Sequence, residues 1–462
     1  MKHASLIVAG IALMYTSGAV AVTEQARQKL NESDVAFLWE LTGAVVQESR
    51  VVPGAKVGKY GPNTTGGILI RPGGRDCYPA FWIRDYTMSL DCGRISVEEQ
   101  KHALLLTAAN QQDTEWRLPS GSVVTPGSIP DHITFGGKPI YYPGTLDDYD
   151  GQGGPRWGKL PCLDDHFYFI HMAAKYVETS GDKEILRQII KGKTLAARLE
   201  DAFAMPPSRP DTGLVYADAE ARGVTFGFVD AIVHTGDLLF CSLLKMQAAD
   251  ELSWLLESSA DPSHARRYHA ISDRLRKAIP KTFASKDGLL RASTGASGQP
   301  DVWGSAYAVY IGALDRKHES QVCRELAWAY RNGVLAWKGN IRHVLTKDDF
   351  SKTTAWENTD VKVNQYQNGA YWGTPTGWVA YAIAKAEPES AVKLMTEYVA
   401  ELREGDFRKG PDFGSPWECM HPDGAYRQNA VYMTSVTCPA AALNRLNAEL
   451  SGTKIKRGAG KH

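Results

Sequence analysis

The feature that most constrains this fold is a regular alternation of paired helical segments with long polar loops. Residues 34–49 read as an amphipathic helix with Phe37, Leu38, Leu41 and Val45 on one face. Residues 96–112 open on Ser96 followed by Glu98 and Glu99, a helix-capping signal. Four helical pairs follow, at 164–179 with 183–203, 237–257 with 262–283, 305–314 with 320–330, and 376–386 with 389–404. Their internal turns are marked by Ser180-Gly181-Asp182, Ser258-Ser259-Ala260-Asp261 and Pro388. A last helix is expected over 429–450. Strand signals are few, and Gly67-Ile68-Leu69-Ile70 is the clearest. Between the pairs run loops at 51–80, 117–163, 206–229, 338–367 and 405–428, rich in Gly, Pro, Trp, Tyr, Asp and His. Loops of that length in a compact chain are usually functional. No Pro/Ser-rich linker interrupts the series, so the expectation is one all-α domain over residues 22–462. Helix hairpins closed into a ring would escape the usual single-core size limit.

The chain opens on Lys2 and His3, then an apolar run from Leu6 to Tyr15, then Ala19-Val20-Ala21. This is the pattern of an export signal cleaved after Ala21, and the run is too short to span a bilayer. A secreted or periplasmic protein is therefore expected, with no later membrane span. The 52 basic and 52 acidic residues cancel, so no global field favours nucleic acid or an anionic surface. Seven cysteines leave at least one unpaired. Cys77 and Cys92 flank the most site-like segment and form the preferred disulfide pair, with plain buried thiols as the alternative. No Cys/His spacing fits a structural metal, and no cofactor is expected.

Aromatic residues make up 10% of the chain, and many stand in loops beside acids, as in Phe81-Trp82 and Trp417-Glu418. Aromatic faces next to carboxylates suit sugars, which combine apolar faces with hydroxyl rims, so a carbohydrate substrate is expected. Several segments then resemble motifs of the six-hairpin glycosidases, nearest the trehalase, glucosidase and glycogen-debranching branch. Phe81-Trp82-Ile83-Arg84-Asp85 resembles their W-x-R-D element, and Trp303-Gly304-Ser305-Ala306 a Trp-Gly-Ser/Thr-Ala segment. Tyr366-Gln367-Asn368-Gly369-Ala370-Tyr371-Trp372 is similar to Tyr-Gln-Asn-Gly-Gly-x-Trp, and Gly373-Thr374-Pro375-Thr376-Gly377-Trp378 to a Pro-Asn-Gly-Trp turn. Trp417-Glu418 followed by Pro422 resembles the W/F-E-x-y-x-P segment. The resemblance spans roughly residues 68–439 and implies an (α/α)6 toroid that hydrolyses a glycosidic bond, often with inversion.

Such chemistry needs one protonated carboxyl to assist the leaving oxygen and one ionised carboxylate to activate water. Asp230 follows the aromatic run Phe226-Gly227-Phe228-Val229, which could desolvate and raise it, and stands near the place of the family's acid. A helix cap is its bland alternative. Glu418 matches the family's C-terminal catalytic Glu and is the expected base, with Glu357 its main rival. Arg84 and Asp85 are expected to hold the sugar. Trp82, Asp165, Gln367, Asn368, Tyr371, Trp372 and Trp417 are candidate substrate contacts, and His234 could tune Asp230. A lyase or phosphorylase on the same ring is the alternative, the lyase drawing on His132, His166 or His234. A non-catalytic sugar binder is the third reading, weakened by the paired acids.

Overall fold

The structure is a computed structural model that describes residues 29–75, 77–119, 121–141, 158–218, 220–257, 262–296, 298–346, 359 and 361–453. The expected export segment and Glu357 lie outside the described residues. Twelve α-helices occur among those described. In chain order they are α1 (Glu32–Ser49), α2 (Ile83–Ser89), α3 (Val97–Ala109), α4 (Asp165–Ser180), α5 (Leu195–Ala204) and α6 (Leu239–Leu256). They continue with α7 (Pro262–Phe283), α8 (Val302–Tyr310), α9 (Arg316–Arg331), α10 (Thr376–Ala384), α11 (Pro388–Glu404) and α12 (Thr434–Ser451).

Even-numbered helices form an inner ring. Each packs on the next, from α2 through α4, α6, α8 and α10 to α12, and α12 closes back on α2. The odd-numbered helices wrap outside them. Composition decides which is which. The inner helices α8 and α10 carry no charged residue, so nearly every side chain is buried. The outer helix α9, with seven positions Arg, Lys, His or Glu among its residues, buries only one stripe: Val322, Cys323, Leu326, Ala327 and Ala329. A helix apolar all round seeks the core, and an amphipathic one seeks its edge.

Three expectations need correction. The 183–203 segment is not one helix: Ile189–Ile190 pairs with Lys193–Thr194 as a hairpin before α5. Lys191 and Gly192 both adopt positive φ, the requirement of a tight two-residue turn between right-twisted strands. The last helix starts only at Thr434, because Arg427–Ala430 is a strand and Asn429 and Val431 have positive φ. No disulfide joins Cys77 to Cys92; all seven cysteines are buried thiols. The strand Ala80–Trp82 and the helix α2 run between those two and carry them to opposite ends of the element.

Two small sheets, invisible in the periodicity, sit over the end of the ring where the inner helices begin. One orders Ala80–Trp82, His132–Thr134 and Pro139–Ile140. The other has five strands: Ala336–Trp337, Asn340–Ile341, Tyr371–Trp372, Trp417–Met420 and Arg427–Ala430. Two- to four-residue strands are too short for alternation to register.

Candidate active site

The acids gather where the inner helices start. Arg84 and Asp85 stand in the first turn of α2, Asp164 and Asp165 at the start of α4, and Glu418 on the strand leading to α12. Asp230 ends a single 3-10 turn, Gly227–Val229, ahead of α6. The positive ends of the inner helix dipoles thus face a cluster of carboxylates.

Glu418 is 1% exposed. The Tyr78 hydroxyl donates to its Oε1 at 2.8 Å, and Asn429 Nδ2 donates to Oε2 at 2.6 Å. Asn429 lies opposite Glu418 between the Trp417–Ala430 and Cys419–Gln428 pairs, so the strand register delivers it. Burial raises the Glu418 pKa to about 8, with the charges of Asp85 and Asp230 adding to the effect. Tyr78, Tyr366 and Asn429 all hold positive φ, a costly conformation for residues with a Cβ. Strained backbone therefore concentrates around this carboxyl.

Asp230 faces the same space. Gln367 Nε2 donates to its Oδ1 at 2.6 Å and Gln367 Oε1 accepts from the Ala231 N–H at 2.7 Å, so one amide clamps the turn from both sides. Among the described residues no side chain donates to Asp230 Oδ2. Burial raises its pKa to about 6, although part of its surface stays open. Tyr366 is near enough to Glu418 and to Asp230 to feel the charge of both.

The Arg84 guanidinium is taken up by buried carboxylates. Its Nε donates to Asp164 Oδ2 at 2.6 Å, and its Nη2 lies 3.1 Å from Asp131 and 3.3 Å from Asp165. Asp164 Oδ2 also accepts from the Gly227 N–H at 3.0 Å. A Cβ on Gly227 would fall 1.9 Å from the Arg84 Cζ, which is why glycine precedes the Asp230 turn. One guanidinium thus ties α2, α4 and the Asp230 turn together. Burial raises Asp165 well above the usual carboxyl value, and Asp164 and Asp131 add to this despite Arg84; its Oδ1 has no hydrogen-bond partner. Burial opposes ionisation of Asp131 too, but His132 and Arg84 outweigh it and hold its pKa low. Asp131, Cys162 and Asp165 are close enough to share a metal, yet the guanidinium already supplies the positive charge there.

The other expected contacts divide. Trp82 is half-buried, edge-on to Tyr78 and stacked on His132 at 4.1 Å, and reaches the site. Asp85 is buried, accepts from the Tyr432 hydroxyl at 2.5 Å, and is raised to about 6 by burial. Asp165 is 0% exposed and braces Arg84, so it is no sugar contact. Gln367 holds Asp230, and Asn368 holds its loop by donating to the Val361 carbonyl. Trp372 is sealed in the core beneath the site, 5.7 Å from both Trp303 and Phe228, and cannot line a subsite. Tyr371 packs by Trp337 and Arg342. Trp417 is adjacent to Glu418 in sequence, but strand alternation sends it to the opposite face, over Gly414 and beside Arg427. His234 is buried, its pKa lowered to about 4 by burial and by Arg222. Sequence reasoning missed Tyr78, Asn429, Asp131 and Tyr432. None stands in a motif that marks it, since strand register and backbone strain bring them in.

No family model and no curated protein matches the chain. Solved structures do. A glycosidase solved as a point variant aligns at TM-score 0.53 and 13% identity, over 92% of this chain and 100% of its own. A Klebsiella oxytoca rhamnosidase with rhamnose bound aligns at 0.50 and 13%, over 90% of this chain and 64% of that one. The chain is an (α/α)6 toroid. A GH78 family rhamnosidase of Bacillus sp. GL1 aligns at 0.51 and 11%, over 91% of this chain and 36% of that one. This chain thus spans less than two thirds of the length of either rhamnosidase. What the likeness carries is the ring of helix hairpins, and among the described residues no helix is long and apolar enough to cross a membrane.

Proposed function

We propose that this protein is an exported glycoside hydrolase in which Asp230 is the general acid and Glu418 the general base. The observation that carries the reading is the pair itself: two carboxyls from separate elements, sharing the neighbour Tyr366, both raised toward neutral by burial. Paired carboxyls of unlike environment are how acid and base roles divide at one pH.

The environments divide as follows. Glu418 accepts a donor on each oxygen, an arrangement made for an ionised carboxylate; a proton on Oε2 would face the Asn429 amide hydrogens. Asp230 is gripped on one oxygen, which leaves Oδ2 to carry a proton to the leaving group. Burial alone would place the shared proton on Glu418, whose pKa stands higher. The hydrogen bonds oppose that placement, because they fix which oxygen atoms can accept a proton without a clash. In the proposed cycle Asp230 protonates the glycosidic oxygen, Glu418 takes a proton from water, and the water attacks the anomeric carbon from the opposite face. Trp82 and Asp85 line the sugar's position. The histidines of the lyase alternative are engaged elsewhere: His132 with Asp131 at 2.7 Å, and His166, fully buried, with the Ile129 N–H at 3.2 Å.

The substrate proposed is an α-linked glycoside or short oligosaccharide, with α-rhamnosides included because of the rhamnosidase neighbours. A panel of aryl α- and β-glycosides and disaccharides, read by NMR within the first turnovers, tests this. An inverting enzyme releases the anomer opposite to the substrate's. First product with retained configuration would replace Glu418 as base with a nucleophile. Product absorbing near 235 nm, an unsaturated uronate, would make the protein a lyase.

A further inference from the structure

His132 sits on the middle strand of the three-stranded sheet that also carries Trp82. The antiparallel register sets the two residues directly opposite, so both side chains leave the sheet on one face. Their rings stack, with centroids 4.1 Å apart and planes 16° from parallel. Tyr78 meets Trp82 at 5.0 Å and donates to Glu418 Oε1 at 2.8 Å. His132, Trp82, Tyr78 and Glu418 thus form one continuous row. The row also runs near the other two acids. Burial does most to raise Asp85 and Asp230, and the charge of Asp131, the residue before His132, adds to it in both.

The imidazole is held at one nitrogen only. His132 Nδ1 lies 2.7 Å from Asp131 Oδ2, and Arg84 Nη2 donates to Asp131 Oδ1 at 3.1 Å. Burial works against a charge on Asp131, which is 5% exposed, but His132 and Arg84 outweigh it and keep the carboxylate ionised. An ionised carboxylate only accepts, so Nδ1 carries the hydrogen of that bond. In the neutral ring the lone pair then stands on Nε2. Among the described residues Nε2 has no hydrogen-bond partner, and it is not sealed away: the side chain keeps 10% of its surface exposed. His166, at the same end of the ring, shows the contrast. It is 0% exposed, and its Nε2 accepts from the Ile129 N–H at 3.2 Å. The His166 ring is spent on the fold, whereas the His132 ring leaves a fixed acceptor open beside Trp82.

An oriented acceptor next to an aromatic ring suits a sugar, which offers an apolar face to the ring and a hydroxyl hydrogen to the lone pair. We propose that His132 is a substrate-binding residue whose Nε2 accepts a hydroxyl of a neutral sugar ring packed against Trp82, and that Asp131 is the positioning residue that holds the imidazole at that angle. The assignment rests on the carbohydrate site proposed above, and not on which carboxyl is acid or base.

Histidine-selective nitrogen NMR of the full chain tests it without turnover. L-Rhamnose, D-glucose and D-mannose are added in turn at millimolar concentration. At least one should shift the Nε2 resonance of His132, identified by its absence from His132→Asn, and leave that of His166 in place. His132→Asn keeps an N–H for Asp131 but has no atom at the place of Nε2, and should weaken binding of that sugar about fivefold to fiftyfold. His132→Gln sets an amide oxygen near that place and should recover part of the loss. With a glycoside that the protein hydrolyses, the loss should fall on KM, with kcat changed less than about threefold. Should His132→Asn fail to fold by circular dichroism, His132→Gln supplies the resonance assignment and the wild-type titration still decides. A His132 Nε2 resonance that none of the three sugars moves, or undiminished binding in folded His132→Asn, would overturn the assignment and leave His132 as a prop for Trp82. Hydrolysis that persists beside those results keeps the proposed function. A shifted Nε2 in a protein that hydrolyses nothing keeps His132 as a sugar contact and removes the hydrolase.

Discussion

Asp230→Asn should cost about 10²–10⁴-fold in turnover on a natural glycoside and far less on an aryl glycoside, whose leaving group needs little protonation. Glu418→Gln should cost a similar factor on both, because every substrate needs an activated water. The asymmetry is the informative part, since both variants remove a buried carboxyl that burial has raised. Gln at position 418 keeps one oxygen to accept from Asn429, and its amide N–H can donate to the Tyr78 hydroxyl, so a collapse of the site would not explain its loss. The pH profile of kcat/KM adds a second readout. One proton shared by carboxyls near about 6 and about 8 gives a bell between those values, and the limbs belong to the pair rather than to either residue. Asp230→Asn should remove the alkaline limb and Glu418→Gln the acid limb. If instead Glu418→Gln spares aryl glycosides and Asp230→Asn does not, the roles are exchanged. If Asp230→Asn turns over a disaccharide normally, Asp230 is only the end of a 3-10 turn and the acid lies elsewhere.

The ring was legible because its signal is strong and local. Eleven of its helices are long or apolar enough to announce themselves, and the contrast between the uncharged α8 and the charge-rich α9 already separates inner from outer. The helix α2 was not read as one, because seven residues make barely two turns and its polar positions, Arg84, Asp85 and Thr87, look like a loop. The site was legible in its acids and much less so in their surroundings. Asp230 and Glu418 do come near each other from opposite halves of the chain. Arg84, in contrast, reads as a ligand for sugar in the sequence and is a buried brace in the structure, because Asp131 and Asp164 reach it from loops that periodicity cannot place. Trp417 misleads for a simpler reason: neighbours on a strand face opposite ways.

Arg84→Met should be among the most damaging single substitutions, and its damage should be structural. The side chain is of similar length but leaves Asp131, Asp164 and Asp165 buried without their cation. Removing one partner from a buried ion pair costs about 3–5 kcal/mol, and more than one acid is orphaned here. The pH dependence follows from sign. Without Arg84 the Asp131 carboxyl loses one of the two influences that hold its pKa low, and Asp165, already raised by burial, is raised further. A group raised in the folded state stabilises below its unfolded pKa, and that contribution is lost as pH rises through the folded one. The deficit of the variant should therefore be large at pH 8 and shrink toward pH 4. Arg84→Lys should rescue little, since one ammonium cannot repeat the Nε contact to Asp164 and the Nη2 contacts to Asp131 and Asp165. Adding Asp164→Asn to Arg84→Met should recover part of the loss, because it removes one orphaned charge while keeping an oxygen for the Gly227 N–H. Urea unfolding of the four proteins at pH 5 and pH 8 measures all of this. A variant Arg84→Met with wild-type stability and a raised KM would show that Arg84 holds the sugar after all, and that its three carboxylates do not need it to fold.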